Sequence, residues 1–545
     1  MKKRFLLVNL LGLISLTLVG CNRDLPVESG VDINELDIKP EEVTGELDIG
    51  LYLAGFGREF LDAMITRYKQ IYPNVKVNPV EYFVGDTQVI DAIKAGPEDN
   101  PIDLFVAGPV YASDLIEQGN AIVKSYDPIL EDLSDVYRSK PYGEDNTIEQ
   151  KTYSSVANSL KYNPNLSYFP QYEKYVGKVY SLPWAYGPGG LIFNKDFFDA
   201  HSEYKIPKTS NQLITLIQTI YDNHVVGKSD AEKVYPVIWA GANAAAYWRY
   251  MTSTWIAQYD GLDSWDRFLR TVDTNNQFSD TVFKTEGMLK ALEALAPIID
   301  FNKSYPNSIG TTHVDAQVQF MRGKAAMLPS GDWTERETKD SDSFGEKGPD
   351  DIMMIRTPVL SAVGQKLGIT DEQLGNIVDA IDRGESSLGG IDQAIFDKVK
   401  ETRFISTNCD FNHNIVIPAY SNAKIAAKFF IKFMFSTEGQ KIFLEKAGGF
   451  MPYKLELSEE ELSKLSPFTQ STYELGRTST MIAMDYTKSP IMYRNNLQLF
   501  NMNGGVLEVQ MAKKTPLSAS EALDKAYEFV HNRWNQYLRV AGITQ

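Results

Sequence analysis

The sequence predicts an α/β protein with at least two lobes, built around parallel sheet. Near the start of the body, apolar strands alternate with amphipathic helices, an order typical of a parallel sheet covered by helices on both faces. The chain has 545 residues, more than a single hydrophobic core usually holds. With 43% hydrophobic residues, its composition is that of a globular protein.

The first strands and helices of this pattern follow one another closely. Alternating apolar residues predict a strand over 49–53, and apolar side chains at helical spacing predict a helix over 58–72. A second strand over 75–80, a short helix over 88–95 and a third strand over 102–108 complete the unit.

The turn after the first strand is a candidate ligand-binding edge. In open α/β sheets, ligands bind beyond the carboxyl ends of the strands. This rule places Phe56 and Arg58 at the predicted edge.

A segment rich in glycine, YGPGG at 186–190, predicts a hinge between two lobes. It precedes a strand over 191–194, and glycines beside a strand that joins two bodies allow the backbone to rotate. Trp184 and Tyr186 lie at this predicted hinge.

The pattern of helices and strands continues through the rest of the chain. A helix is predicted over 208–224, a buried strand over 234–241 and a short strand over 325–328. Residues 363–400 are helical, charged and bounded by glycines, which indicates an insertion. A capping box starts an amphipathic helix at Ser518.

The N-terminus has the features of a signal for export. In residues 1–20 a basic start precedes an apolar run that is shorter than the ~20 residues needed to span a bilayer. The following LVGC resembles the lipobox of bacterial lipoproteins, which implies lipidation of Cys21 and anchoring on the extracytoplasmic face of the cell membrane. Residues 21–46 are polar and acidic and predict a tether. Cys409 is then expected to be a buried, unpaired thiol.

The net charge bears on the class of ligand. The formal net charge is −17 at pH 7. A surface this negative repels phosphate backbones, so nucleic acid is not expected as a partner. Neutral or cationic ligands fit it better.

No motif in the sequence indicates catalysis or metal binding. The five histidines are scattered, with no pair at ligand spacing, and the phosphate-loop, nucleophile-elbow and dinucleotide motifs are absent. Residues 221–233 fail as a calcium loop, since His224, Val226 and Lys233 stand where oxygen ligands are needed. We therefore expect no enzyme activity, no cofactor and no metal, although 71 acidic residues leave a glycosidase carboxylate pair open.

Aromatic residues near predicted strand ends indicate a carbohydrate site instead. Sugar rings stack their C–H faces on aromatic rings, and their hydroxyls bind planar polar side chains. Most Trp and Tyr side chains are buried in cores, but Trp333 follows a strand on a polar turn that shows no core pattern. The candidate site residues are Trp333, Asp332, Tyr247, Trp248, Arg249, Trp184, Tyr186, Phe56, Arg58 and Asp86.

Four segments together resemble a known family. The segments are GFGREFLDAMITRYKQIYPNVKV, GKVYSLPWAYGPGGLIFNKDFF, FMRGKAAMLPSGDW and AKFFIKFMFSTEGQKIFLEKAGGFMPYK. In this order they resemble the extracellular solute-binding proteins of carbohydrate ABC transporters, the maltose-binding-like family 1, over most of 47–455. The resemblance implies a two-lobed, periplasmic-binding-protein-like (type II) fold with hinge strands and a sugar cleft between the lobes. It also implies that Trp333 stacks on the sugar and that Tyr247 and Trp248 contact it.

On this resemblance we expect lobe I to comprise 47–187 and 356–447, and lobe II to comprise 188–355 and 448–545. The lobes would close on an oligosaccharide, and the protein, a lipid-anchored monomer, would deliver it to a membrane permease. Two alternatives stay open: a surface enzyme acting on polysaccharide, and a receptor for peptides or other solutes.

Overall fold

Two β-sheets with separate hydrophobic cores divide the protein into two lobes. The computed structural model describes residues 36–53, 55–84, 87–110, 112–116, 126–164, 169–339 and 352–543. Within these ranges the first sheet has five strands and the second has six, and a two-stranded ribbon accompanies them.

Helices and strands alternate through both lobes. The strands are β1 (Gly45–Leu47), β2 (Ile49–Tyr52), β3 (Val75–Val77), β4 (Glu81–Phe83), β5 (Leu104–Pro109), β6 (Leu182–Pro183), β7 (Pro188–Asn194), β8 (Tyr235–Val237), β9 (Ala325–Ser330), β10 (Ile352–Ile355), β11 (Ile405–Asn408), β12 (His413–Val416) and β13 (Thr480–Ile482). The helices are α1 (Glu59–Ile71), α2 (Gln88–Ala95), α3 (Ala112–Asp114), α4 (Ser134–Arg138), α5 (Ile148–Lys151), α6 (Ser154–Leu160), α7 (Lys195–Ala200), α8 (Ser210–His224), α9 (Trp248–Asp260), α10 (Leu262–Arg270), α11 (Glu286–Leu295), α12 (His313–Met321), α13 (Thr334–Lys339), α14 (Ser361–Lys366), α15 (Asp371–Asp382), α16 (Gln393–Arg403), α17 (Lys424–Met434), α18 (Thr437–Ala447), α19 (Glu459–Leu462), α20 (Pro467–Thr478), α21 (Pro490–Arg494), α22 (Leu507–Met511), α23 (Ala519–His531) and α24 (Trp534–Val540).

The first sheet has the parallel start that the sequence predicts. Its strand order is β4-β2-β5-β12-β6, with β2 parallel to both β4 and β5. Helix α1 buries Phe60 and Met64 in the same core as Leu51 of β2. The predicted second strand, 75–80, is present as β3 (Val75–Val77) and pairs with β1, whereas β4 lies next to β2.

The predicted tether, 21–46, is too long, because 36–46 pack on the first lobe. Leu36 is buried, and strand β1 pairs in parallel with β3. The ammonium group of Lys432 donates a hydrogen bond of 2.9 Å to the carbonyl oxygen of Leu36. Residues 36–46 therefore belong to the folded body.

Two of the three glycines in the predicted hinge, Gly189 and Gly190, belong to a central strand of the second sheet, and Gly187 lies just before it. Strand β7 lies between β9 and β11 and also pairs with β10, antiparallel in every case. A Cβ added to Gly189 would lie 2.5 Å from the Tyr250 ring. The glycine at this position thus permits close packing.

The chain passes between the two sheets three times within the described ranges. The crossing segments are 184–187, between β6 and β7; 409–412, between β11 and β12; and 448–466, between α18 and α20. Three crossings between two sheets make the two-lobed architecture that the sequence predicts.

The sequence analysis predicted that 356–447 belongs to lobe I. For its first part, 356–408, this prediction is wrong, because that part lies in lobe II. Strand β11 pairs with β7 and β13 of the second sheet, and the predicted insertion, 363–400, buries Ile377 and Phe396 in the core of lobe II. The charges and flanking glycines indicated an insertion, and one face of each of its two longer helices is apolar and buried. The other predicted lobe boundaries remain a proposal.

An aromatic core anchors the first crossing segment in lobe I. The ring of Trp184 stacks on Phe60 with centroids 5.4 Å apart and meets Phe56 and His413 edge-on at 5.7 and 5.3 Å. Its indole Nε1 donates a hydrogen bond of 2.7 Å to the carbonyl oxygen of Ala107. The side chain is fully buried, so its packing contributes to the stability of lobe I.

Replacing Trp184 by alanine is expected to destabilise lobe I by about 3–5 kcal/mol, because a large cavity replaces a packed ring. Urea denaturation followed by circular dichroism measures this change. The control is Val84→Ala, at a side chain that is 70% exposed, for which a change within about 0.5 kcal/mol is expected. Equal unfolding midpoints for the two variants would contradict this assignment of Trp184.

Candidate functional site

Trp333 lies between the two lobes, immediately before α13. Its side chain is half-buried and packs against the cores of both lobes. On the side of lobe I, a Cβ added to Gly55 would lie 2.8 Å from the Cβ of Trp333. Gly55 also has a φ of +55°, so both its backbone conformation and its contact favour glycine. The lobes therefore touch at Trp333, as they do in a closed arrangement.

The turn that carries Trp333 is formed by local contacts at the end of β9. Thr334 Oγ1 donates a hydrogen bond of 2.8 Å to the carbonyl oxygen of Gly331 and lies 2.7 Å from Ser330 Oγ. A Cβ added to Gly331 would lie 2.5 Å from the indole ring. The indole thus folds back over Gly331, which explains the small residue before it.

Two tyrosines of lobe II complete an aromatic group with Trp333. The rings of Tyr247 and Tyr250 stack with centroids 5.6 Å apart, and they meet Trp333 edge-on at 5.9 and 6.4 Å. The sequence analysis missed Tyr250. Its spacing of three residues from Tyr247 on a helix could have indicated it, because such positions share one face.

The neighbours of Tyr247 were wrongly predicted to face the cleft. Trp248 is fully buried in the core of lobe II and packs edge-on against Trp239 at 6.4 Å. The guanidinium of Arg249 is buried and donates a hydrogen bond of 3.0 Å from Nε to Glu508. Successive residues of a helix point in different directions, so α9 presents only some of these side chains to the other lobe.

Phe56 and Trp184 were also wrongly predicted as ligand contacts. Both are buried in the aromatic core of lobe I, where the rings pack on one another. Strand ends carry core residues as well as cleft residues, and residue type alone does not separate them.

Tyr186 lies away from Trp333, in a second cavity. Its ring is buried and stacks on Tyr153 with centroids 5.4 Å apart, and its hydroxyl lies 3.1 Å from Ser155 Oγ. Burial raises the pKa of Tyr186 well above its usual value. This cavity of about 20 Å³ is further lined by Phe450 of the third crossing segment and Tyr473 of α20.

Among the predicted polar residues, Arg58 is exposed, at the edge of the space between the lobes. It precedes α1, with Nε 3.8 Å from Asp62 and its guanidinium 5.9 Å from the Tyr82 ring centroid. The predicted residues Asp86 and Cys21 lie outside the described residues.

A carboxylate that the sequence analysis did not select lies near the aromatic group. The charge of Glu337, on α13, contributes with burial to a raised pKa of the Tyr247 hydroxyl. Glu337 accepts a hydrogen bond of 2.6 Å from Gln317 Nε2, and burial raises its own pKa. Glu337 follows Trp333 by four residues. If the turn had been predicted as a helix, this spacing would have placed both side chains on the same face.

Asp332, predicted to bind sugar hydroxyls, is buried beneath the aromatic group. Its carboxylate lies with Cys409 and Asp410 in a cluster whose ligand atoms are within 4.8 Å of one another. Burial raises the pKa of Asp332 to about 7 and the pKa of Asp410 well above its usual value. Burial also lowers the pKa of the adjacent His413 to about 4, so this imidazole is neutral. The cluster does not line the cleft surface.

One ion pair joins the lobes beside Trp333. Arg336 Nη2 of lobe II donates a hydrogen bond of 2.6 Å to Glu59 Oε2 of lobe I. This contact lowers the pKa of Glu59. The pair therefore persists at neutral pH and is lost as the pH falls through the lowered carboxyl pKa.

Replacing Glu59 by glutamine is expected to shift the ligand-free protein toward an open arrangement. The Glu59 side chain is 51% exposed, so we expect the pair to contribute only about 0.5–1 kcal/mol, a two- to fivefold change in the closed-to-open ratio. Double electron–electron resonance between spin labels on the two lobes measures the populations of the open and closed arrangements.

The control for this experiment is Glu293→Gln, which breaks an exposed pair with Lys290 within one helix of lobe II. It should leave the distance distribution unchanged. The interlobe role of Arg336 and Glu59 is contradicted if Glu59→Gln also leaves that distribution unchanged.

Comparison with known proteins gives the same architecture. Residues 63–468 match the family model described as bacterial extracellular solute-binding protein. The GacH receptor of Streptomyces glaucescens, solved unliganded and with acarbose, is 13% identical with a TM-score of 0.53, covering 91% of this chain and 99% of its own. Maltose-bound MalE3 of T. maritima is 14% identical with a TM-score of 0.54, covering 89% of this chain and 99% of its own.

A similarity at the sequence level covers a smaller part of the chain. The multiple sugar-binding protein of Streptococcus mutans serotype c is 28% identical over 172 residues, which are 31% of this chain. The match spans 37% of the length of that curated relative.

The described part of the chain contains no helix long and apolar enough to cross a membrane. The family model matches residues 63–468, which are most of the sequence and include parts of both lobes. Members of this family bind solutes outside the cytoplasm. On this match, the protein belongs to the bacterial extracellular solute-binding proteins.

Proposed function

We propose that the protein captures a carbohydrate, an oligosaccharide in particular, between its two lobes and delivers it to the permease of an ABC transporter. The observation that carries this proposal is the half-buried pair of Trp333 and Tyr247, set where the lobes meet, with the buried ring of Tyr250 packed against both. A half-buried indole at an interlobe contact suits the C–H face of a sugar ring. Glu337 and Gln317 supply polar partners for hydroxyl groups nearby.

The names of similar proteins support this class of ligand. The relative from Streptococcus mutans is a multiple sugar-binding protein, and the two solved structures contain acarbose and maltose. These ligands are carbohydrates of more than one ring. We extend that class to this protein as part of the proposal.

Hinge closure supplies the proposed mechanism. The crossing segments 184–187, 409–412 and 448–466 are the connections about which the lobes would rotate. A sugar that stacks on the Trp333 indole and also reaches lobe I contacts both lobes only in the closed arrangement. It binds that arrangement more tightly and shifts the population toward it by the difference in affinity.

Delivery requires the protein to stay near its permease. We propose that Cys21 is lipidated and holds the protein, as a monomer, on the extracytoplasmic face of the cell membrane. The lipobox-like LVGC and the apolar run before it support this part. The family consists of binding proteins, and we propose binding without turnover.

Replacing Trp333 by alanine is expected to weaken oligosaccharide binding at least tenfold, about 1.4 kcal/mol, because the stacking surface is lost. Isothermal titration calorimetry with maltotriose and raffinose measures the change, after a thermal-shift screen has selected the better ligand. The matched control is Trp534→Ala, at another half-buried tryptophan of lobe II that begins α24 and packs against the lobe II core. This control should keep wild-type affinity.

Three results would contradict the proposal. Shorter products after incubation with oligosaccharides would show an enzyme. A raised melting temperature with peptides but with no sugar would show another ligand class. Full sugar affinity in folded Trp333→Ala would place the sugar elsewhere.

A further inference from the structure

Three side chains able to bind a metal come together where β9 ends and the second crossing segment begins. Asp332, Cys409 and Asp410 each place one ligand atom within 4.8 Å of the other two. Cys409 Sγ lies 3.6 Å from Asp332 Oδ1. Asp332 and Cys409 are 77 residues apart in the sequence, so linear spacing does not reveal the cluster.

Among the described residues, the carboxyl groups of this cluster lack a cationic side-chain partner, and Asp332 interacts only with Asp410, Cys409 and nearby backbone N–H groups. Asp410 is fully buried, and among the described residues neither of its side-chain oxygens has a hydrogen-bond partner. Asp332 Oδ2 is buried without one as well. Elsewhere, buried Asp135 pairs with Lys428 at 2.7 Å and buried Glu508 pairs with Arg249 at 3.0 Å.

The missing partner must carry positive charge. Leaving an ionised carboxylate in the interior without compensation costs several kcal/mol. Within the described ranges, no lysine or arginine forms an ion pair with Asp332 or Asp410. Either a proton or a metal cation must therefore compensate the two carboxylates.

A nitrogen ligand stands beside the cluster. His413 Nδ1 lies 3.8 Å from Asp410 Oδ1 and, among the described residues, has no hydrogen-bond partner. The side chain is 12% exposed. It lies outside the group of three donors that are within 4.8 Å of one another, so it would join the two oxygens and the sulfur as a fourth donor only after its ring shifts.

We propose that Asp332, Cys409 and Asp410 bind a divalent transition-metal ion of the zinc type, with His413 Nδ1 as the fourth ligand. In a tetrahedral zinc site with oxygen and sulfur ligands, neighbouring donor atoms lie about 3.5 Å apart. The distances of 3.6 and 3.8 Å found here are close to that value. Calcium is disfavoured because it requires six to eight oxygen ligands and no sulfur.

Binding changes the protonation of the thiol. Cys409 Sγ now donates a weak hydrogen bond of 3.4 Å to the carbonyl oxygen of Gly187. The metal takes a thiolate, so its binding releases the thiol proton to solvent. No electron transfer is involved.

The ion would tie together the segments that move during closure. Asp332 ends a strand of lobe II, and Cys409 and Asp410 lie in the second crossing segment. The first crossing segment passes alongside, since a Cβ added to Gly187 would lie 1.9 Å from Asp332 Oδ2. The metal would therefore stiffen the hinge without contacting a sugar, and its presence does not depend on the proposed ligand.

Metal analysis of the purified full-length protein tests this inference. After chelation and dialysis against Zn²⁺, mass spectrometry of the metal content should find about one ion per chain. Loading with Co²⁺ should produce the thiolate-to-cobalt charge-transfer absorption that Cys409 ligation predicts. A chelator should lower the melting temperature of the zinc-loaded protein.

Variants of nearly the same shape distinguish between the two possible compensating charges, a bound metal ion and a proton on the carboxyl pair. Asp410→Asn should bind Zn²⁺ at least tenfold more weakly, and chelator should no longer affect its melting temperature. His413→Ala should also weaken Zn²⁺ binding. The control Asp260→Asn removes a largely buried carboxylate of lobe II outside the cluster and should keep the wild-type metal content.

The inference is overturned if the wild-type protein takes up neither ion. It is also overturned if Asp410→Asn keeps the full zinc content. An infrared band of a protonated carboxyl group that is present in the wild type and lost in Asp410→Asn would identify a proton as the compensating charge.

Discussion

The close approach of backbone and side chains at the crossing segments is the constraint on which this structure depends. Gly187 admits the carboxylate of Asp332, and Gly189 admits the ring of Tyr250. Gly55 and Gly331 do the same for Trp333 from opposite lobes. A side chain at Gly55 would push the lobes apart, and one at Gly187, Gly189 or Gly331 would displace the residue that packs against it. These glycines therefore allow side chains to approach the backbone closely. As a result, residues of both lobes meet at the same aromatic group.

From this constraint follows the division of the interlobe region into a surface layer and a buried layer. The surface layer holds half-buried rings, the ion pair of Arg336 with Glu59, and Glu337. The buried layer holds Asp332, Cys409 and Asp410, with no compensating side chain among the described residues. The surface layer suits reversible contact with an uncharged ligand, whereas the buried layer suits a permanent charge that compensates the carboxylates. A protein that opens and closes uses both layers. The surface layer binds the ligand in the closed state, and the buried layer holds the crossing segments in fixed positions relative to one another.

Local patterns in the sequence predicted what local contacts determine. The strand before Trp333 and the turn that carries it follow from a few neighbouring residues, and the structure places them as predicted, with β9 extending to Ser330. Side-chain direction was harder, since Trp248 and Arg249 lie beside Tyr247 in sequence but point into a core. The cluster around Asp410 and the placement of 356–408 in lobe II depend on strand pairing between distant segments. Such pairing leaves no periodic signal in the sequence.

The central claim is that a carbohydrate ring occupies the space between the lobes at Trp333. A crystal structure of the protein with the oligosaccharide that gives the largest thermal shift tests it most directly. The account predicts a sugar ring in van der Waals contact with the indole of Trp333, at about 4 Å, with further contacts from lobe I. A sugar bound in the cavity beside Tyr186, with none at the Trp333 indole, would contradict it.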